Sequence, residues 1–272
     1  MPDAARTPAP ARPAASILVV RDGPEGLEVL MMERPGSSRF APGAVVFPGG
    51  GVESSDWRPG WKRWSRGALA MSREALAFRV AAVRELFEEA GLLILAPKGR
   101  RGMVSNAQLK KLERRYRGGL ISGGQGFDRM IRREGLEPLP RRLVLFSHWI
   151  TPEPVYKRYD TEFFIVEAPR DQEISRRGGE AADLRWISPA ETLDAWENDD
   201  VALMFPTRLN LLRLAEAETA AQAIAQAGRR SIIPVTPVIS LEGGERRLSI
   251  PAEAGFGVTE GVHRDLAVEK PR

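Results

Sequence analysis

The chain has 272 residues, 43% hydrophobic and 28% charged, with a formal net charge of +4 and no cysteine. That balance is that of a globular, core-forming protein. No apolar run approaches the ~18 residues of a membrane span, and disulfides, thiolate nucleophiles and cysteine-zinc centres are excluded. A cytoplasmic location is the expectation that goes with a cysteine-free chain.

Residues 1–15 are rich in Ala, Pro and Arg, lack the apolar centre of a secretory signal and are expected to form a disordered tail. Apolar runs at 16–20 and 27–33 flank Asp22-Gly23-Pro24-Glu25-Gly26 and predict a hairpin. A third short strand at 44–47 breaks into Pro48-Gly49-Gly50-Gly51. Pro59-Gly60 ends any helix before Trp61. Ser72 is an N-cap candidate with Glu74 in the first turn behind it. Ala75, Ala77, Ala81 and Ala82 give the following helix high propensity and a slim profile for packing on a sheet. Gly91 suits its left-handed C-terminal position.

Ser105-Asn106-Ala107-Gln108 has capping-box form and predicts a helix running to Arg117, stopped by Gly118-Gly119. A short helix is expected at 127–134 and strands at 142–150, 162–167 and 184–187. Ser188-Pro189 opens a helix through Trp196, and 207–227 reads as one long helix. Extended pieces follow at 232–237 and 248–251. Strands and helices so interleaved predict a mixed sheet between helical layers. Between Lys98 and Arg142 stand 13 Lys and Arg against 4 Asp and Glu. Such a basic segment attracts an anionic small molecule or RNA, or is an ordinary solvated face.

The decisive stretch is Arg84-Glu85-Leu86-Phe87-Glu88-Glu89-Ala90-Gly91-Leu92. Glu85, Glu88 and Glu89 fall at i, i+3 and i+4, one face of a helix. An acidic face is most often simply solvated. Three crowded carboxylates also suit a hard divalent cation, Mg²⁺ or Mn²⁺, and Arg84 is able to orient one of them by a two-pronged hydrogen bond. Neither His148 nor His263 lies near this stretch, and no nucleophile elbow or phosphate-binding Gly-Lys-Ser/Thr loop is present.

Together with Phe47-Pro48-Gly49-Gly50-Gly51-Val52-Glu53, this string resembles the Nudix box of the Nudix hydrolases. One departure stands out. Gly50 and Arg84 are 34 positions apart, 20 more than the family spacing, so the box is split between loop and helix. Phe40-Ala41-Pro42-Gly43-Ala44, Trp149-Ile150-Thr151-Pro152, Arg158-Tyr159-Asp160-Thr161-Glu162-Phe163-Phe164 and Met204-Phe205-Pro206-Thr207 are similar to the branch containing coenzyme A diphosphatases.

The resemblance implies an α/β fold, the Nudix α/β/α sandwich with a mixed sheet. The Nudix domain is expected at 16–205, with insertions at about 57–74 and 98–140, and a C-terminal helix and extension at 206–272. It implies metal ligation by Glu85, Glu88 and Glu89 with the Gly50 carbonyl, an orienting role for Arg84, and lesser contributions from Asp56 and Glu53. Some members carry a water-activating carboxylate shortly before a tryptophan-bearing strand, a spacing that Glu180 fits ahead of Trp186. Glu173 and Glu153 compete for that role, or Glu85 and Glu89 act without an outside base. Arg34, Arg39 and Arg158 are candidate phosphate contacts. Trp61 is a candidate adenine platform or, alternatively, the pin that holds the insertion.

The expected activity is metal-dependent hydrolysis of a nucleoside diphosphate linked to another group, with CoA or acyl-CoA first. NADH, ADP-ribose and dinucleoside polyphosphates follow, and a non-catalytic nucleotide- or RNA-binding module is the rival class. A nucleotide-type small molecule is the expected partner and a membrane is not; oligomerisation is left open. The C-terminal Lys270-Pro271-Arg272 is not a peroxisomal Ser-Lys-Leu type address.

Overall fold

The computed structural model describes residues 10–34, 43–153, 155, 157–175, 183–242 and 245–261. In chain order, strands β1 (Arg12–Gly23) and β2 (Gly26–Glu33) form the hairpin, followed by β3 (Val45–Val46) and β4 (Gly49–Gly51). Helix α1 (Trp61–Trp64) precedes the long α2 (Arg73–Ala90). Strand β5 (Leu95–Pro97) leads to α3 (Asn106–Leu112), a π turn (Glu113–Arg117), α4 (Gly118–Ile121) and α5 (Phe127–Arg133). Then come β6 (Leu136–Pro138), β7 (Val144–Ile150), β8 (Tyr159–Glu167), β9 (Asp183–Ile187) and α6 (Pro189–Glu197). Helices α7 (Phe205–Leu214) and α8 (Ala220–Arg229) are followed by β10 (Pro234–Val235), β11 (Val238–Glu242), β12 (Glu245–Ser249) and β13 (Glu260–Gly261).

The main sheet runs β10-β7-β8-β1-β2-β3, with β4 beside β1 and β9 beside β2. Pairing of β1 with β8 and of β10 with β7 is parallel, and the other ladders of this sheet are antiparallel. This is the mixed sheet the sequence predicts. Strand β1 is buried on both faces, and its alternation divides the core. Ala15, Ile17 and Val19 pack with α2 in one cluster; Leu18 and Val20 pack with α6, α7 and α8 in the other. The sheet is therefore the middle of three layers.

Helix α2 forms as its signals require. The Ser72 hydroxyl accepts from the Ala75 amide at 3.0 Å, and Gly91 ends the helix at φ 72°. The capping box at Ser105 and Gln108 also forms.

Three boundaries differ from the sequence expectation. Strand order begins at Arg12, whose amide donates to Arg158 O at 2.9 Å, so residues 12–15 belong to the sheet and not to a tail. The helix that begins at 106 does not stop at Gly118-Gly119 but runs on to Ile121. A Cβ on Gly119 would lie 2.7 Å from the Gln125 side chain, so glycine there serves close approach and not termination. The long helix at 207–227 is two helices. The Thr219 hydroxyl accepts from the Gln222 amide, and the Asp22 carboxylate accepts from the Ala220 amide at 2.7 Å. Those caps start a new helix and override the high propensity of the intervening residues.

The two expected insertions pack on each other. Arg58 pairs with Asp128 at 2.7 Å, and Arg66 with Glu137 at 2.9 Å. Strands β5 and β6 pair antiparallel, so the excursion between them leaves and returns at one place. Replacing Ser72 by Ala should lower stability by about 1 kcal/mol, read as a shifted denaturation midpoint with an unchanged slope.

Candidate active site

The glycine turn is a strand edge. Gly49, Gly50 and Gly51 pair with Ser16, Ala15 and Ala14, and Ile17 N donates to Pro48 O at 2.9 Å. A Cβ at Gly49 would lie 2.4 Å from Ala15 O, so a side chain there would push β4 off β1. A Cβ at Gly50 would lie 2.6 Å from the Glu85 carboxylate. The loop thus touches Glu85, on the acidic face of α2, directly.

Arg84 organises the contact. It is 3% exposed. Its Nη2 donates to Gly51 O at 2.8 Å and to Asp56 Oδ2 at 2.9 Å, and its Nη1 donates to Glu85 Oε1 at 2.6 Å. Glu88 and Glu53 lie 3.6 and 3.8 Å from the same Nη1. Burial works against the Arg84 charge, but the hydrogen bond and charge of Asp56, with the charges of Glu85 and Glu53, outweigh it and raise the pKa. One guanidinium therefore faces four carboxylates, and the site carries a surplus of negative charge.

That surplus registers on the helix. Burial pushes the Glu85 carboxyl up, with Arg84 opposing. Glu88 is pushed up to about 7 by burial, reinforced by the Glu85 and Glu53 charges and opposed by Arg84. Glu89 is pushed up to about 8 by burial and then by Glu85; the Gly49 amide, which donates to it at 2.7 Å, and the Arg34 charge oppose the rise.

Among the described residues, no three His, Cys, Asp or Glu side chains stand ready-converged as a metal-ligand set. Glu85 is turned to Arg84 by an ion pair, and Glu89 accepts a hydrogen bond from the Gly49 amide. The chemistry of the donors nevertheless fits a hard divalent cation. They are oxygens only, their negative charge exceeds the local positive charge, and Gly50 leaves the Glu85 carboxylate uncovered by any Cβ.

The remaining candidates divide. Arg34 ends the hairpin near enough to Glu89 to act on its charge. Arg158 lies at the β1–β8 end of the sheet, its Nε donating to Thr151 O at 3.0 Å and its Nη1 3.2 Å from Glu153. Glu53 is exposed at the rim. Glu173, exposed, pairs with Lys110. Arg39 and Glu180 lie outside the described residues. Asp56 is 1% exposed and spent on Arg84, so its place is that of a buried counterion and not of a direct ligand.

Of the two readings of Trp61, an adenine platform or the pin of the insertion, its surroundings match the second. It is 1% exposed, its Nε1 donates to Ser55 O at 2.9 Å, and it packs against Trp64 and Phe127 with ring centres 5.4 and 5.9 Å apart. It pins the insertion to the core. The basic segment is also partly spent within the fold, on the pairs Arg115–Glu134, Arg117–Glu113 and Arg132–Asp128. Sequence reasoning passed over Arg117, whose guanidinium lies at the C-terminal end of α2. Only its spacing from Glu113 hinted at a fixed side chain.

Two outcomes test this electrostatic account. A carboxylate whose folded pKa is raised stabilises the fold below its unfolded pKa and loses that contribution as pH rises through the folded value. In chelator, the melting temperature should therefore fall as pH rises from the ordinary carboxylate value of 4.5 up to about 8, the window set by Glu88 and Glu89. Mn²⁺ or Mg²⁺ should stabilise more as pH rises, and Glu89→Gln should flatten the slope. Asp56→Ala strips a buried guanidinium of its most deeply buried counterion and should cost about 3–5 kcal/mol in a denaturant titration.

Comparison with known proteins places this geometry in a family. The NUDT19 Nudix domain family matches residues 65–214, and the NUDIX domain family matches residues 10–108. The acyl-coenzyme A diphosphatase NUDT19 of Gallus gallus is 31% identical over 238 residues, covering 71% of this chain and 62% of that protein. The protein of the same description from Homo sapiens is 26% identical over 229 residues, covering 70% and 61%. The chain thus spans about six tenths of the length of these curated relatives. The NUDIX hydrolase from Alicyclobacillus acidocaldarius superposes with a TM-score of 0.68 at 28% identity, covering 80% of this chain and 96% of that one. Nudix hydrolases generally use divalent metals and small nucleotide-type substrates. Among the described residues no helix is long and apolar enough to cross a membrane. The chain belongs to the Nudix hydrolase family, in the branch defined by the NUDT19 Nudix domain.

Proposed function

We propose that this chain is a metal-dependent pyrophosphohydrolase of nucleoside diphosphates linked to another moiety, acting first on CoA or acyl-CoA. The observation that carries the reading is the docking of the Glu85, Glu88 and Glu89 face against the glycine strand by one buried arginine. The names of the chicken and human relatives support the choice of CoA substrates.

Glu85, Glu88 and Glu89, with the Gly50 carbonyl, would hold Mg²⁺ or Mn²⁺. When bound, the ion shields phosphate oxygens and lowers the pKa of a water. The chain's own residues do the rest. Arg84 fixes the distance between loop and helix, so the carboxylates act from a rigid frame. Each carboxylate sheds its proton to become a ligand, and the raised values of Glu88 and Glu89 make that step pH-dependent. Arg34, beside Glu89, supplies positive charge for the phosphates, with Arg39 and Arg158 as further contacts. Glu180 is proposed as the group that takes the proton from the attacking water. The Nudix unit is proposed to extend from the first strand through 205, with 206–272 as an extension of the same body, and the compartment to be cytoplasmic.

A panel of CoA, acyl-CoA, NADH, ADP-ribose and dinucleoside polyphosphates, incubated with Mg²⁺ or Mn²⁺, tests the assignment. CoA should yield 3′,5′-ADP and a phosphopantetheine. Glu88→Gln keeps shape but removes a ligand charge and should lower turnover by roughly 100-fold or more. Wild-type turnover in that variant would sink the metal assignment. Preferred cleavage of NADH or ADP-ribose would keep the chemistry and reject the substrate.

A further inference from the structure

The last four carbonyls of a helix have no acceptor role inside it and need outside donors. In α2 these belong to Phe87, Glu88, Glu89 and Ala90, and all four are satisfied. Phe87 O accepts from the Gly91 amide at 3.1 Å, and Ala90 O accepts from the Ser175 amide at 3.0 Å. Glu88 O accepts from Arg117 Nε at 3.1 Å, and Glu89 O from Arg117 Nη2 at 2.8 Å. Arg117 is 5% exposed, and its Nη1 donates to Glu113 Oε1 at 2.9 Å and to Ser175 O at 3.0 Å. A short contact between the Ser175 hydroxyl and Glu113 closes the ring.

The fit is close. A Cβ on Gly91 would lie 2.3 Å from both the Glu113 and Ser175 side-chain oxygens and 2.9 Å from Arg117 Nη1. Arg117 and Glu113 both lie in the π turn, a wide turn of the kind that recurs at functional sites.

We propose that Arg117 is a positioning residue of the hydrolytic site. It grips the backbone of Glu88 and Glu89 and ties both to Ser175, five residues before Glu180 in the sequence. The inference rests on the metal-dependent reading above. A planar guanidinium fork spans two successive carbonyls, and lysine has no such fork. Its charge favours the negative end of a helix, but Glu113 balances that charge, so the fixed geometry remains as its main contribution. Without it, two carbonyls lose their donors, the last turn of α2 frays, and the side chains of Glu88 and Glu89 lose a rigid base.

The test compares Arg117→Lys and Arg117→Gln with the wild-type chain. Three quantities are measured: the melting temperature, Mn²⁺ affinity by paramagnetic resonance on substrate-free protein, and kcat and KM for CoA at saturating metal. Both variants should bind Mn²⁺ more weakly and lose kcat, each by about 10- to 100-fold, while KM stays within about threefold. Arg117→Lys should recover most of the melting temperature lost in Arg117→Gln, yet leave kcat and Mn²⁺ affinity low. A lysine variant with wild-type Mn²⁺ affinity and kcat overturns the proposal. So does a glutamine variant that, assayed well below its melting range, matches the wild type in both. Glu88→Gln measured alongside keeps the two readings apart: if it retains wild-type turnover, the metal assignment falls whatever Arg117 does. If Glu88→Gln is inactive while both Arg117 variants behave as wild type, only the positioning role falls.

Discussion

A guanidinium taken out of water demands counter-charge, and the site is built on how Arg84 obtains it. Glu85 supplies the nearest carboxylate, Asp56 the most deeply buried one, and the Gly51 carbonyl a third acceptor. Because Asp56 lies upstream of the extra segment and Arg84 downstream, this ion pair reunites what the sequence separates. Closing a loop of that length adds little entropy, so the split is cheap once the pair forms. The same pair leaves the helix carboxylates short of positive charge. That deficit is what a divalent cation would relieve.

The two segments expected as insertions are fastened to each other and to α2. Trp61 packs on Phe127, Arg58 binds Asp128, and Arg141 Nε donates to Gly67 O at 2.7 Å. The first segment therefore rests on the second, and the second reaches the end of α2 through Arg117. Within the basic segment, Arg115, Arg117, Arg132 and Arg141 fasten parts of the fold to one another.

Local chemistry was legible where it is short-range. Ser72, Gly91, Ser105 and the Glu85-Glu88-Glu89 face each announce themselves within a few residues, and each is found where expected. Asp56 shows the limit. Counting along the box gives it an acidic role, but only the fold reveals that its carboxylate is committed to an arginine 28 residues away. Trp61 fails as a platform because its burial depends on Phe127, 66 residues on, which no local pattern encodes. The break before Ala220 depends partly on Asp22, 198 residues upstream, so propensity alone ran the helix through. Arg117 was missed for the same reason: its partners are backbone atoms of another element.

The pairing of the glycine strand with Ala14, Ala15 and Ser16 makes the opening strand a template for the loop that meets α2. No side chain on the glycines holds that loop; main-chain hydrogen bonds to β1 do, and Val52 N adds one to Pro13 O at 2.9 Å. An expression boundary drawn at Ser16, natural if everything before it is taken for a tail, would delete Ala14 and Ala15, two of the three paired residues, and Pro13 with them. Such a shortened protein would keep most of its hydrophobic layers while losing the rail along which the glycine loop is aligned.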